Sequence, residues 1–288
     1  MLRDLAAAPA TIFPNPVSRH AMHPTLTIAK RAALAASKVI LRNLDRLDQL
    51  TINEKARNDF VSEVDVQAER EIIKILRKTY PDHAILAEES GSQGELDPEY
   101  QWVIDPLDGT TNYLHGLPHF AVSIALKVRG RLEAGLVYDV LRQELFMASR
   151  GNGALLNERR IRVKPLNAID GALLGTGFPF RQPKHMPAYL AGFAALAERC
   201  SEVRRAGSAA LDLAYVAAGR LDGFWEIGLA EWDMAAGALL VQEAGGLVGD
   251  FSGGADYLRT GNLVAGSPKV FKGLLQTLQP TLTPALQR

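Results

Sequence analysis

From residue 28 to residue 40 apolar side chains return at helical spacing: Ile28, Ala32, Ala35, Ala36, Val39 and Ile40 share one face and predict a first helix. Val64, Ala68, Ile72, Ile75 and Leu76 mark a second helical face within residues 62–79. Ser62 stands ready to cap that helix, and Tyr80-Pro81 ends it, because the residue before a proline is pushed out of the helical region. The period then shortens. Residues 84–87 form an apolar run that delivers Glu88 and Glu89, residues 95–99 a polar loop, and residues 102–104 a second apolar run that delivers Asp105. Residues 120–128, 132–139 and 144–149 read as a meander of strands turning at Arg129-Gly130-Arg131 and Gly151-Asn152-Gly153, with one more strand at 161–163.

Beyond residue 166 the texture changes to strand 173–176, helices 187–199 and 209–218, strand 223–227, helix 231–244, strands 247–251 and 263–265, and helix 268–277. Strands in series followed by strand–helix alternation predict an α+β chain with two lobes: an N-terminal antiparallel-sheet lobe over 22–165 and a C-terminal α/β lobe over 166–288. Residues 1–21 hold no sustained period and carry three prolines, which predicts a disordered N-terminal extension and makes Met22 a candidate for the native start.

Composition narrows the function classes. Lys+Arg and Asp+Glu each total 32 in 288 residues, so the overall charge leaves no electrostatic footprint for nucleic acid or an anionic membrane. No run approaches the ~20 apolar residues that cross a bilayer, and the start makes a poor secretory signal. A single cysteine, Cys200, rules out an intrachain disulfide and a cysteine metal cluster. A cytoplasmic protein with no direct membrane association is expected.

The chemistry concentrates in Trp102-Val-Ile-Asp105-Pro-Leu-Asp108-Gly-Thr110-Thr-Asn-Tyr-Leu-His115. An apolar strand ends in a carboxylate, a proline stiffens the turn, and a second carboxylate follows three residues on. Hard cations take oxygen ligands from a few carboxylates, carbonyls and waters, so Asp105, Asp108 and the Pro106-Leu107 backbone can address one Mg²⁺. The amides of Gly109 and Thr110, at a helix start, suit a phosphate. An Asx-turn followed by a helix cap explains a lone Asp-x-x-Asp-Gly equally well. Three further acids in similar settings weigh against it: Glu88 at the end of a strand, Asp65 at the third position of the capped helix, and Asp233 in the first turn of helix 231–244. In that last helix Trp232, Ala235, Ala236, Leu239 and Leu240 form the expected buried stripe, which leaves Asp233 off it. His115 and His119 are outnumbered by acids, and an all-oxygen shell points away from zinc.

The stretches 105–115 and 232–246, in this order and with Asp65, Glu88 and Asp105 spaced 23 and 17 residues apart, resemble the two sequence motifs of the inositol monophosphatase family. The resemblance runs from about His23 to the C-terminus and is strongest to bacterial members, including at Arg205-Ala-Gly-Ser-Ala-Ala-Leu-Asp212 and Phe224-Trp-Glu226. It implies an α-β-α-β-α layered sugar-phosphatase fold and an Mg²⁺-dependent, lithium-sensitive phosphatase that holds two or three ions. Glu88, Asp105 and the Leu107 carbonyl would hold the first ion, Asp105, Asp108 and Asp233 the second, and Asp65 with Glu88 would reach a third through water. Thr110 and Glu88 would activate the attacking water, the Gly109 and Thr110 amides would hold the phosphate, and Glu226 with the Gly207-Ser208-Ala209 loop would contact substrate hydroxyls. Lys55 would lie in an N-terminal loop that approaches the metals. Direct hydrolysis of inositol 1-phosphate or a similar polyol phosphate by a homodimer is the implied activity. The alternative is a partner of RNA polymerase and Nus-type factors in transcription antitermination and ribosomal RNA maturation, with Arg204-Arg205 and Arg159-Arg160 as candidate contacts.

Overall fold

Helix α1 (Pro24–Asn43) opens on a proline and buries a stripe of mostly small residues, Leu26, Ala29, Ala32, Ala33, Ala36 and Ile40, which lets a second helix approach closely. The computed structural model describes residues 23–49, 52–56 and 59–287; the expected extension over 1–21 and the start at Met22 lie outside the described residues. A two-stranded ribbon, β1 (Ile52–Ala56) and β2 (Asp59–Ser62), leads into α2 (Glu63–Thr79). Ser62 caps α2 as expected: its Oγ accepts from the Val64 amide at 3.2 Å while its own amide donates to Asp65 Oδ2 at 2.8 Å, a reciprocal capping box.

The first sheet is built from β3 (Ala84–Ala87), β4 (Gly91–Gln93), β5 (Tyr100–Asp108), β6 (Ala121–Val128), β7 (Arg131–Asp139), β8 (Glu144–Ser149), β9 (Gly153–Leu156) and β10 (Arg159–Ile161), with the short helix α3 (Thr110–Leu114) between β5 and β6. Its order is β10-β9-β8-β7-β6-β5-β3-β4. The sequence predicted an antiparallel sheet, and one pair departs from it: β3 runs parallel to β5. That exception brings Glu88 and Asp105 out at the same end of adjacent strands, with Ala87 opposite Ile104 and the Glu88 amide donating to the Ile104 carbonyl at 3.1 Å. A second irregularity sits in β5. Asp105 faces Ser123 and Asp108 faces Ala121, so three steps on β5 oppose two on β6. The extra residue is a bulge that returns Asp108 to the face Asp105 occupies, which a regular strand would forbid to residues three apart.

The second sheet gathers β11 (Leu173–Thr176), β12 (Glu202–Arg204), β13 (Gly223–Glu226), β14 (Leu247–Gly249) and β15 (Leu263–Gly266) in the order β12-β11-β13-β15-β14. It is parallel across β12, β11 and β13 and antiparallel from β13 to β14. Helices α4 (Met186–Ala197), α5 (Ala209–Ala217), α6 (Glu231–Glu243), α7 (Tyr257–Thr260) and α8 (Pro268–Leu278) complete the chain. α1 and α2 cover the outer face of the first sheet, α5 and α6 fill the space between the sheets, and α4 and α8 cover the second sheet. The layers are therefore α-β-α-β-α.

The middle layer corrects one expectation. Asp233 through Val241 are all buried in α6, while Trp232 is only partly so. A helix clamped between two sheets has no solvent face, so no stripe exists for Asp233 to lie off. The short strands at 91–93, 153–156 and 202–204 and the helix at 257–260 carry too few apolar positions to show a period. The strand expected to reach 251 stops at Gly249, because Asp250 folds the chain into a turn, its carboxylate accepting from the amides of Ser252, Gly254 and Asp256. The expected strand at 161–163 lies earlier, at 159–161.

Candidate active site

A cavity of about 680 Å³ opens where the bulged end of β5, the start of α5, the end of β13 and the start of α6 meet. Glu88, Asp105, Leu107, Asp108, Gly109, Thr110, Gly207, Ser208, Ala209, Glu226 and Asp233, all singled out in the sequence, line it. Asp65 reaches the same place by a hydrogen bond. Lys55 lies in β1, where only the backbone is described.

Each acid has a local reason for its position. Asp105 is 1% exposed and accepts from the Leu107 amide at 3.0 Å, which closes the turn at Pro106. Gly109, at φ 101°, turns the chain into α3; a Cβ there would press on the His119 carbonyl at 3.0 Å and the Gly207 carbonyl at 3.3 Å. Thr110 Oγ1 has two acceptors, Asp65 Oδ1 at 2.8 Å and the Leu107 carbonyl at 3.0 Å. Asp108 Oδ2 accepts from Ser208 Oγ at 2.6 Å and from the Ala210 amide at 2.7 Å. The Ser208 hydroxyl is thus turned toward Asp108 and, as cap of α5, toward the Leu211 amide at 3.4 Å. Asp233 Oδ2 accepts from the Ala230 amide at 2.7 Å, the same third-position cap that Asp65 makes in α2.

The electrostatics follow from crowding. Burial, then the charges of Glu88, Asp108 and Asp233, push the Asp105 carboxyl well above the usual carboxylate range. Burial and then Asp233 lift Asp108 to about 7, against the pull of Ser208, the Ala210 amide and Arg181. Burial also raises Asp65. A set of like charges this close calls for a cation.

In this structure a protein cation answers. The Arg181 guanidinium hydrogen-bonds Asp233 Oδ2 and lies 3.8 Å from Glu88 Oε1. Among the described residues no group of three acids or histidines is gathered to hold an ion. The donor set still fits Mg²⁺: carboxylates and a backbone carbonyl, all oxygen, with room in the cavity for waters and a phosphate. Arg181 was not singled out in the sequence, where it sits in the featureless run Gly177-Phe-Pro-Phe-Arg. Asp212 was also missed as a site residue; it lines the cavity from the first turn of α5. Of the candidate contact arginines, Arg205 belongs to the cavity wall, 5.0 Å from the Phe178 ring centre, whereas Arg204 pairs with Glu202 at the surface. Arg160 is exposed and donates to the Asn152 carbonyl. His119 packs its ring edgewise against Tyr215, and neither it nor His115 lines the cavity.

Known proteins share this sequence and fold. The chain is 58% identical over 272 residues to the Nus factor SuhB of Pseudomonas aeruginosa, which covers 93% of this chain and 100% of that protein. The crystal structure of the extragenic suppressor protein suhB from Bartonella henselae superposes with a TM-score of 0.87 at 41% identity, over 90% of this chain and 100% of that one. The inositol monophosphatase of Anabaena does so with a TM-score of 0.80 at 40% identity, over 89% and 95%. Among the described residues no helix is long and apolar enough to cross a membrane. The signature of one family spans residues 21–283, the fold and the acidic cavity agree with it, and this chain belongs to the inositol monophosphatase family.

Proposed function

We propose that this chain is an Mg²⁺-dependent phosphomonoester hydrolase acting on inositol 1-phosphate or a similar polyol phosphate. The observation that carries the reading is the convergence of Glu88, Asp105, Asp108 and Asp233 on one cavity from three separate segments, with Glu88 and Asp108 brought there by departures from regular antiparallel pairing. Glu88, Asp105 and the Leu107 carbonyl would hold one Mg²⁺, and Asp105, Asp108 and Asp233 a second; Asp65 with Glu88 would serve a third. Bound there, the ions supply positive charge that acidifies the attacking water and neutralises the departing oxygen.

The chain's own groups do the rest. Thr110 Oγ1 gives its proton to Asp65 Oδ1, which leaves its lone pairs to take a proton from water, and Glu88 stands at the same edge to orient that water. The water oxygen bonds to phosphorus as the phosphorus–oxygen ester bond breaks, and the alcohol leaves as the polyol. Gly109 and Thr110 line the cavity on the loop that also carries Asp108, so their amides would hold the phosphate on the same short segment that holds the ions. Glu226, with the Gly207-Ser208-Ala209 loop, would receive the hydroxyls. Lithium inhibition and a homodimer are expected by analogy with the family.

The test is phosphate release from inositol 1-phosphate, with and without Mg²⁺, by wild type and Asp105→Asn. Turnover that needs Mg²⁺ and vanishes in the variant supports the assignment; wild-type turnover in Asp105→Asn defeats it.

A second reading concerns partners. The name Nus factor, borne by relatives such as that of Pseudomonas aeruginosa, supports a role beside RNA polymerase and Nus-type factors. Binding of the purified chain to RNA polymerase with and without the other Nus-type factors tests it; absence of binding in both settings counts against it.

A further inference from the structure

The acids that would hold metal all have partners already: Glu88 the Arg181 guanidinium, Asp105 the Leu107 amide, Asp108 the Ser208 hydroxyl, Asp233 the Ala230 amide and Arg181, Asp65 Ser62 and Thr110. Two further carboxyls in the same cavity do not. Asp212 is 2% exposed and Glu226 is 6% exposed, both line the cavity, and among the described residues nothing donates a hydrogen bond to either.

They lie along one stretch of backbone. A Cβ on Gly175 would come within 3.3 Å of Asp212 Cγ, and a Cβ on Gly177 would fall 2.2 Å from Glu226 Oε1. Two bare glycines, two residues apart, therefore make room for two carboxyls side by side. Arg205 is the cation whose field reaches both.

Their oxygens open onto the cavity with no protein donor among the described residues, which leaves them for a ligand to satisfy. Burial holds both carboxyls well above the usual carboxylate range, and a carboxyl that keeps its proton donates as well as accepts, so the partner that suits them is a group able to do both. A second phosphate or a carboxylate on the ligand only accepts, and any charge left on the two acids repels it. An ammonium only donates, and Arg205 offsets part of its attraction to the acids. A neutral polyol satisfies all three constraints.

Resting on the hydrolase reading above, we infer that Asp212 is a specificity-determining residue that accepts a hydrogen bond from a substrate hydroxyl beside the one read by Glu226. The two carboxyls then select a phosphate ester of an uncharged polyol with neighbouring hydroxyls and discriminate against esters that carry a second anionic group.

The experiment compares wild type, Asp212→Ala and Asp212→Asn on inositol 1-phosphate and on p-nitrophenyl phosphate, which has no hydroxyl to offer, with calorimetric binding of inositol 1-phosphate alongside. Expected for Asp212→Ala is a loss in kcat/KM of about 10- to 100-fold on inositol 1-phosphate, mostly in KM, with p-nitrophenyl phosphate turnover within about twofold of wild type. Asp212→Asn keeps the shape and one acceptor; it should fold like wild type and lose about fivefold on the polyol ester alone. Should the alanine variant fail to fold, the asparagine variant carries the same comparison. Equal losses on both esters would make Asp212 structural and overturn the inference, as would no loss on either. If wild type hydrolyses neither ester, the hydrolase reading falls and the binding data decide: weaker inositol 1-phosphate binding in Asp212→Ala upholds the subsite, and unchanged or absent binding removes it.

Discussion

Two groups of acids share one cavity and are treated by the fold in opposite ways. Asp105, Asp108 and Asp233 are held by amides, a serine and an arginine before any ligand arrives. Asp212 and Glu226 are buried as deeply and left bare. The difference matches what each group has to meet. A cation needs several oxygens aimed at one point, and aim comes from hydrogen bonds that fix each carboxylate. A hydroxyl needs one open acceptor, and any internal donor would compete with it.

The sharpest way to break this contrast is at Asp105, the one acid assigned to both ions. Asp105→Asn should lower turnover of inositol 1-phosphate by roughly a thousandfold or more while the fold stays intact by circular dichroism, because the amide removes charge without removing volume. The bare group is probed from behind by Gly177→Ala. The new methyl would fall on the Glu226 carboxyl, 2.2 Å from Oε1, and displace it. An increase of about tenfold in KM for the polyol ester is expected, with p-nitrophenyl phosphate hydrolysis spared; equal loss on both would show that the damage spreads to the fixed group.

Arg181 sharpens the comparison from the other side, since it supplies positive charge where the ions would sit. Arg181→Gln should bind Mn²⁺ several-fold more tightly by calorimetry and melt at a lower temperature without divalent ions, the two effects having one origin: the guanidinium stabilises the metal-free site and must leave it. Unchanged affinity would mean that the guanidinium and the ions do not share space.

The smallest expected effect is on pH dependence. Burial, then Asp233, raise Asp108 to about 7, far above its value in an unfolded chain, so the fold favours the protonated form. The stability this supplies is complete below about pH 4 and is lost as pH climbs through about 7. The melting temperature without divalent ions should therefore fall over that range, and saturating Mg²⁺ should flatten the decline. A flat profile without metal would show that Arg181 already compensates the charge.

How much of this could be read from the sequence depends on what signalled each part. Long amphipathic segments such as 63–79 and strands such as 173–176 announced themselves by period, and the metal-side acids by their place after apolar runs. The bulge between Asp105 and Asp108 was not legible, because it depends on how many residues of β6 face that stretch of β5. Nor was the burial of Asp233, which follows from a second sheet closing over α6. Arg181 sits in a segment with no motif of its own, and Asp212 closes a stretch that carries the family resemblance without being marked as a site residue; the signal that could have raised them is that each lies a few residues beyond a strand or a capped helix start, where side chains reach a shared edge. Asp65, Asp105, Asp108 and Asp233 were visible because capping and turn formation leave marks in local sequence, whereas Glu226 was reached only through the family resemblance, since a side chain whose partner is a ligand leaves no local mark.

The middle layer has a consequence for how the molecule comes apart. α5 and α6 are buried along nearly their whole length, and their side chains belong to one core with strands from both sheets. Neither sheet can shed these helices without baring the inner face of the other, at a cost of about 1.5–3 kcal/mol for each large apolar side chain exposed. The two halves are therefore thermally inseparable: calorimetry should record one melting transition, and a protease should find the chain either whole or lost, with no surviving half.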